Sequence, residues 1–227
     1  MPSSDRNSPV KAVLFDLDGT LLDTAPDLGA ALNAVCEQYQ RPAITAEVFT
    51  PVASHGSRGM LQLAFANEYS DREAELRHAF LSAYKENIAT HTQPYPGVLE
   101  LLAVLQRESI QVAIVTNKPE RLTQQLLPHF PEFEAISVVV SGDTLSVSKP
   151  SPEPLFYAAE QLGIEPADCL YVGDAERDIE AGRNAGMVTV LAEYGYISNE
   201  DQPQRWQADY HIASPLELLE LLAINNS

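Results

Sequence analysis

The residues best equipped for chemistry lie at the ends of apolar runs. Asp16 and Asp18 stand two apart, where the strand-like run Ala12-Val13-Leu14-Phe15 opens into the turn Gly19-Thr20. Burying one charged carboxylate without a partner is costly. A pair in this setting therefore calls for a cation, a cage of hydrogen bonds or a raised pKa. Three further polar clusters share the setting. Thr116-Asn117-Lys118 follows the run ending at Val115, and Ser148-Lys149-Pro150 lies after a third apolar run. Gly173-Asp174 follows the run ending at Val172, with Asp178 four residues on. Carboxylates gathered together repel one another unless a divalent cation binds, and hard oxygen ligands with few nitrogens or sulfurs favour Mg²⁺. The same set suits phosphoryl transfer. A carboxylate can attack phosphorus, and a metal can relieve its repulsion from the phosphate. A lysine and a hydroxyl or amide can hold the remaining phosphate oxygens. A second carboxylate can protonate the leaving oxygen and then activate water.

The elements that must position these groups are readable from the hydrophobic pattern. Short apolar runs rich in β-branched residues at 12–15, 111–115, 136–140, 169–172 and 188–191 predict buried strands. Helical patterns at 98–108, 120–127, 154–162 and 178–185 lie between them, the last with Gly186 as its C-cap. Strand alternating with helix predicts an α/β, Rossmann-like parallel sheet covered on both faces, with ligands at the carboxyl ends of its strands. The rhythm breaks between Thr24 and Thr92. That stretch has no strand pattern and reads as helices at 27–40, 58–68 and 71–88. The expectation is an all-helical cap subdomain at 24–92, inserted in a core of residues 1–23 and 93–227. Residues 92–97, with Pro94 and Pro96, form the hinge. A single larger α/β domain with extra helices is the competing reading.

Composition bounds the partners. The 227-residue chain is 45% hydrophobic, enough for one sizeable core with a small second one. With 14 basic and 32 acidic residues its formal charge is −18, which disfavours nucleic acid and anionic membranes. A phosphorylated ligand then needs a local positive site. Cys36 and Cys169 sit in unrelated contexts, so neither a disulfide framework nor a zinc site is expected, and Cys169 reads as a small buried hydrophobe. The polar residues 1–9 read as a disordered arm rather than a signal peptide, and no run approaches the ~20 apolar residues that span a bilayer. The expectation is a soluble, cytoplasmic protein.

The four clusters together, in this order, resemble the haloacid dehalogenase-like hydrolases over nearly the whole chain. The Asp-x-Asp-Gly-Thr run is met by Asp16 to Thr20, and the strand-ending hydroxyl by Thr116. The lysine is met by Lys149 before a proline, and the Gly-Asp-x-x-x-Asp run by Gly173, Asp174 and Asp178. The resemblance implies roles. Asp16 is the nucleophile and a Mg²⁺ ligand. Asp18 is general acid, then base, and lends its backbone carbonyl to the metal. Asp174 is a direct metal ligand, and Asp178 supports the metal's waters or orients Lys149. Thr116 and Lys149 bind the phosphoryl group, and Asn117 adds a hydrogen bond. A carboxylate at position 18 implies an oxygen leaving group, hence a phosphate ester.

Within the family, Val115-Thr116-Asn117-Lys118-Pro119 and Tyr194-Gly195-Tyr196 resemble the phosphoglycolate phosphatase-like branch. Trp206 and Ala208-Asp209 also resemble the bacterial N-acetylmuramic acid 6-phosphate phosphatases. The implied activity is Mg²⁺-dependent hydrolysis of a small phosphorylated metabolite. A sugar phosphomutase with the same core residues is the alternative.

Four segments outside these motifs carry two readings each. Ser54-His55-Gly56-Ser57-Arg58-Gly59 is an anion-friendly loop before a helix. Arg58 is a candidate for a substrate carboxylate or hydroxyl, or else a surface residue at a helix start, and His55 is a weaker candidate beside it. Asp23 extends the active-site loop or, as the sequence favours, caps a helix. Tyr194-Gly195-Tyr196 and Trp206 line the cleft mouth or, as favoured here, pack. Residues 215–222 read as a surface-docked C-terminal helix.

Overall fold

The computed structural model describes residues 10–198 and 200–224; the expected arm at 1–9 lies outside them. In chain order the first elements are β1 (Ala12–Phe15), β2 (Leu22–Asp23), α1 (Ala25–Gln38), α2 (Ala46–Phe49), α3 (Gly56–Phe65), α4 (Tyr69–Glu86) and β3 (Gln93–Pro94). Then come α5 (Val98–Arg107), β4 (Gln111–Val115), α6 (Glu120–Leu126), β5 (Val138–Val140) and α7 (Glu153–Leu162). The last are β6 (Cys169–Gly173), α8 (Glu176–Asn184), β7 (Val188–Ala192), β8 (Tyr210–Ile212) and α9 (Glu217–Leu221).

Six of the strands form a parallel sheet in the order β5-β4-β1-β6-β7-β8. Every residue of β1 is buried, because a central parallel strand is covered on both faces. Its side chains alternate between two cores. Val13 and Phe15 pack with Leu101 and Leu105 of α5, whereas Ala12 and Leu14 pack with Leu155 and Ala158 of α7. Connections leave β1 in both directions, so the sheet order reverses beside it. This is where doubly wound sheets open a crevice at their carboxyl edge.

One predicted strand is shorter than expected, and one edge strand of the sheet was not predicted. Only 138–140 of the run at 136–140 pairs, since Ile136 closes a turn by donating its N–H to the Phe133 carbonyl (3.0 Å). The edge strand β8 has no counterpart in the sequence reading. Tyr210 and His211 are exposed and Ile212 alone is buried, so the apolar run that marks a central strand is absent.

Helices α1 to α4 share a core of their own that includes Leu32, Met60, Leu61, Phe65, Leu76 and Phe80. The chain enters and leaves this helical segment through an antiparallel ribbon that pairs Leu22 with Pro94 and Asp23 with Gln93. Sequence reasoning missed these two-residue strands because periodicity needs more length to register. The Asp27 carboxylate, buried on α1, accepts from the N–H groups of His91 and Thr92 and from the Thr92 hydroxyl (2.7–3.1 Å), fixing the return of the chain. The start of α1 is held from the far side of the fold. Tyr196 Oη accepts from the N–H groups of Thr24 (2.6 Å) and Ala25 (2.8 Å) and donates to Asp23 Oδ1 (2.8 Å). Asp23 thus sits just before the helix, and the Tyr194-Gly195-Tyr196 loop joins the helical segment to the sheet. Trp206 packs against Ile179 and Leu191, as its packing reading expects. In α9, Leu218 and Leu219 are buried in the sheet's core. Among the described residues, no helix is long and apolar enough to cross a membrane.

Candidate active site

Asp16 is the first residue after β1, and its N–H still donates to the Val172 carbonyl of β6 (2.9 Å). That ladder bond anchors its side chain at the carboxyl edge of the sheet. Thr116 is held in the same way after β4, through its N–H to the Val140 carbonyl (2.9 Å). Lys149, after β5, has a fully buried side chain. Its Nζ lies 3.0 Å from Asp16 Oδ1 and 2.8 Å from Asp178 Oδ1, and donates to the Val115 carbonyl (2.8 Å) and Tyr171 Oη (2.7 Å). One ammonium therefore compensates two buried carboxylates. Asn117, expected to reach a phosphate, turns its side-chain amide to the Lys149 backbone. Its Nδ2 donates to the Lys149 carbonyl (2.9 Å) and its Oδ1 accepts the Lys149 N–H (3.1 Å), so it braces the lysine loop.

Asp174 follows β6 and is completely buried. Its Oδ2 accepts from Ser54 Oγ (2.6 Å), which comes from the helical segment, and from the Tyr196 N–H (2.8 Å). Its Oδ1 is buried with no hydrogen-bond partner. Gly19 passes so close that a Cβ there would overlap this carboxylate, and its φ of +87° suits only glycine well. Asp16, Asp174 and Asp178 each bring one carboxylate oxygen within 4.8 Å of the others, an arrangement that fits a small hard cation. The side chain of Asp18 is not in this cluster.

Burial sets the electrostatics of this cluster, which could hold a cation. Burial raises the pKa of Asp174 to about 7, helped by Asp178 and Asp16 and opposed by the Ser54 hydrogen bond. Burial also raises Asp16, against the pull of Lys149. Burial alone would raise Asp178, but Lys149, Arg177 and the Ala175 N–H outweigh it and hold this carboxyl below its ordinary value.

Asp18 faces a cavity of about 660 Å³ between the sheet edge and the helical segment. Its Oδ1 accepts from Thr24 Oγ1 (2.6 Å) and from Lys118 Nζ (2.9 Å). Thr24 stands at the N-cap of α1, yet its hydroxyl goes to Asp18, which is why Tyr196 caps that helix instead. The same cavity is lined by Asp16, Thr116 and Asn117 below, and by His55 and Arg58 at the start of α3. Arg77 and Tyr69 of α4 complete its upper wall. The structure thus brings the expected loop residues His55 and Arg58 to the same space as Asp16 and Asp18.

Three residues at the site carry no role in the sequence reading. Lys118 pairs with Asp18, Ser54 with Asp174, and Arg177 Nη2 lies 3.9 Å from Asp16 Oδ2. Lys118 and Arg177 each stand one or two residues from a motif residue. In a chain with only 14 lysines and arginines, that proximity was the available signal. Ser54 stands in the anion-friendly loop already noted at 54–59, but its pairing with Asp174 depends on how the helical segment docks.

The chain is similar to known proteins over nearly its whole length. The family model for haloacid dehalogenase-like hydrolases matches residues 13–192. The chain is 42% identical to an N-acetylmuramic acid 6-phosphate phosphatase of Pseudomonas aeruginosa, over 94% of this chain and 95% of that one. It is 44% identical to a phosphoglycolate phosphatase of Xanthomonas campestris, over 92% and 95% respectively. The crystal structure of a predicted phosphoglycolate phosphatase from Haemophilus somnus superposes with a TM-score of 0.83 at 28% identity, covering 95% of this chain and 99% of that one.

Proposed function

The chain belongs to the haloacid dehalogenase-like hydrolases, and from that premise we propose that it is a Mg²⁺-dependent phosphatase. It hydrolyses a small phosphomonoester through an aspartyl-phosphate intermediate. The observation that carries this reading is Asp174 Oδ1, an unpartnered buried carboxylate oxygen beside Asp16 and Asp178. Asp16 and Asp174, with the backbone carbonyl of Asp18, would hold Mg²⁺, and Asp178 would support its waters while orienting Lys149. Bound there, Mg²⁺ would relieve the repulsion between the Asp16 carboxylate and an incoming phosphate.

Asp16 attacks phosphorus through a carboxylate oxygen as the P–O bond to the alcohol breaks, and Asp18 delivers a proton to the departing oxygen. Asp18 then takes a proton from the water that attacks the aspartyl phosphate, which frees phosphate and restores Asp16. Thr116 holds a phosphate oxygen, and Lys149 balances the charge on Asp16. Residues 24–92 act as a cap on a core of 1–23 and 93–227. His55 and Arg58 meet the substrate from that cap. The buried free thiols Cys36 and Cys169 fit a reducing compartment such as the cytoplasm. Phosphate release should require Mg²⁺ and should disappear with EDTA or in Asp16→Asn; full activity in either case overturns the reading.

The cavity favours one of the two substrate readings. About 660 Å³, walled by Arg58, Arg77 and Tyr69, lies within the range that encloses a drug-sized ligand and exceeds what a two-carbon acid requires. An amino-sugar acid such as N-acetylmuramic acid 6-phosphate fills it better than phosphoglycolate. The ratio of kcat/KM for these two esters, measured with Mg²⁺, decides between them.

A further inference from the structure

Lys118 is a buried cation with an unusual set of neighbours. It leaves the loop after β4, two residues beyond Thr116, and its side chain is only 4% exposed. Its Nζ lies 2.9 Å from Asp18 Oδ1 and 4.6 Å from the ring centroid of Tyr84, on α4 of the helical segment. Thr24, at the start of α1, donates to the same Asp18 oxygen at 2.6 Å. Burying an ammonium is costly unless it is paired, and here a carboxylate and a ring face supply the pairing. The Tyr84 hydroxyl is itself buried, and Tyr84 flanks Lys118 with both its ring face and its oxygen.

These contacts make Asp18 anisotropic. Both donors use Oδ1, so the carboxyl group is held through one oxygen and neither donor occupies Oδ2. We propose that Lys118 is a positioning residue that holds Asp18 so that Oδ2 delivers its proton to the leaving-group oxygen. The proposal rests on the reading of Asp18 as the acid. In the step concerned, the P–O bond to the alcohol breaks, its electron pair goes to the departing oxygen, and that oxygen takes the proton from Asp18 Oδ2. Lys118 gives up no proton and touches no reacting atom. It acts by orientation, and an ill-placed acid costs rate in proportion to how much the leaving group needs protonation.

The test is a series of aryl phosphates whose phenols span a wide range of acidity, assayed as kcat/KM with Mg²⁺. This parameter reports the steps up to cleavage of the ester bond and is independent of the physiological alcohol. The wild-type enzyme is expected to show a shallow dependence on the leaving group, and Asp18→Asn a steep one. Lys118→Met should steepen it in the same sense, with a loss of about 10- to 100-fold on the poorest leaving group and little on the best. Lys118→Gln keeps a hydrogen-bond donor and should fall between; it also serves if Lys118→Met does not fold. A loss of equal size across the series would assign Lys118 to phosphate binding or to the fold and overturn the proposal. A steep Asp18→Asn with an unchanged slope in Lys118→Met overturns the proposal alone. An unchanged slope in Asp18→Asn overturns the Asp18 reading, and the proposal with it.

Discussion

Asp174→Asn should stabilise the metal-free protein while removing its response to Mg²⁺. Asp174 is wholly buried, and its pKa is raised from 3.8 to about 7 by burial first and then by Asp178 and Asp16. A raised carboxyl binds its proton more tightly in the folded state than in the unfolded chain. Folding stability therefore falls as pH rises from the unfolded value toward the folded one, and levels off above it. A gap of this size corresponds to about 4 kcal/mol at pH 8 and almost nothing at pH 4. Replacing the carboxyl with an amide removes that ionisation at little geometric cost. The amide carbonyl can accept from Ser54 Oγ and the Tyr196 N–H, as Asp174 Oδ2 does, and its NH₂ can donate toward Asp16 and Asp178 where Oδ1 has no partner. Urea denaturation of both proteins from pH 4 to pH 8 without metal should give curves that coincide at the acid end and separate by roughly 2–4 kcal/mol at pH 8, the variant being the more stable. Mg²⁺ at about a hundred times its Kd should then raise the wild-type stability by about 2.7 kcal/mol and leave the variant unmoved. A variant less stable than the wild type at pH 8 without metal, or one that Mg²⁺ still stabilises, would refute the reasoning.

Other substitutions probe the same site from different sides. Lys149→Met strands Asp16 and Asp178 without their shared ammonium, and is expected to cost about 3–5 kcal/mol near neutral pH by urea denaturation, together with activity. Ser54→Ala removes the 2.6 Å hydrogen bond that lowers the Asp174 pKa, so Mg²⁺ affinity at pH 7, measured by calorimetry, should weaken by about 10-fold. Arg58→Ala and Arg77→Ala should each raise KM for a carboxylate-bearing ester by about 10-fold with kcat nearly unchanged, the mark of lost binding rather than lost chemistry.

Much of the fold was legible because its signals are local. A buried parallel strand must be apolar throughout, so Ala12–Phe15 and Gln111–Val115 declare themselves, and the residues just beyond them must sit at the carboxyl edge. The helical segment between Thr24 and Thr92 was legible as a break in that rhythm. Elements too short or too exposed to carry a pattern were not. The β2–β3 ribbon offers two residues per strand, and β8 has one buried residue in three.

The motif residues Asp16, Asp18, Thr116, Asp174 and Asp178 could be picked out in the sequence because each lies close to the end of a strand or the start of a helix. Lys149 lies instead in the long loop between β5 and α7 and was picked out by its motif alone. What each side chain touches was decided by the tertiary structure. Asn117 and Lys149 lie 32 residues apart, Lys118 and Asp18 100, and Ser54 and Asp174 120. No local pattern encodes those distances, because they arise only when the sheet closes and the helical segment docks upon it. The pairing of Asp18 with Lys118 and the ammonium shared by Asp16 and Asp178 follow from the convergence of loops at the sheet edge, and the Ser54 hydrogen bond to Asp174 follows from the docking of the helical segment. The sequence supplied the charges; burial and convergence gave each one its partner.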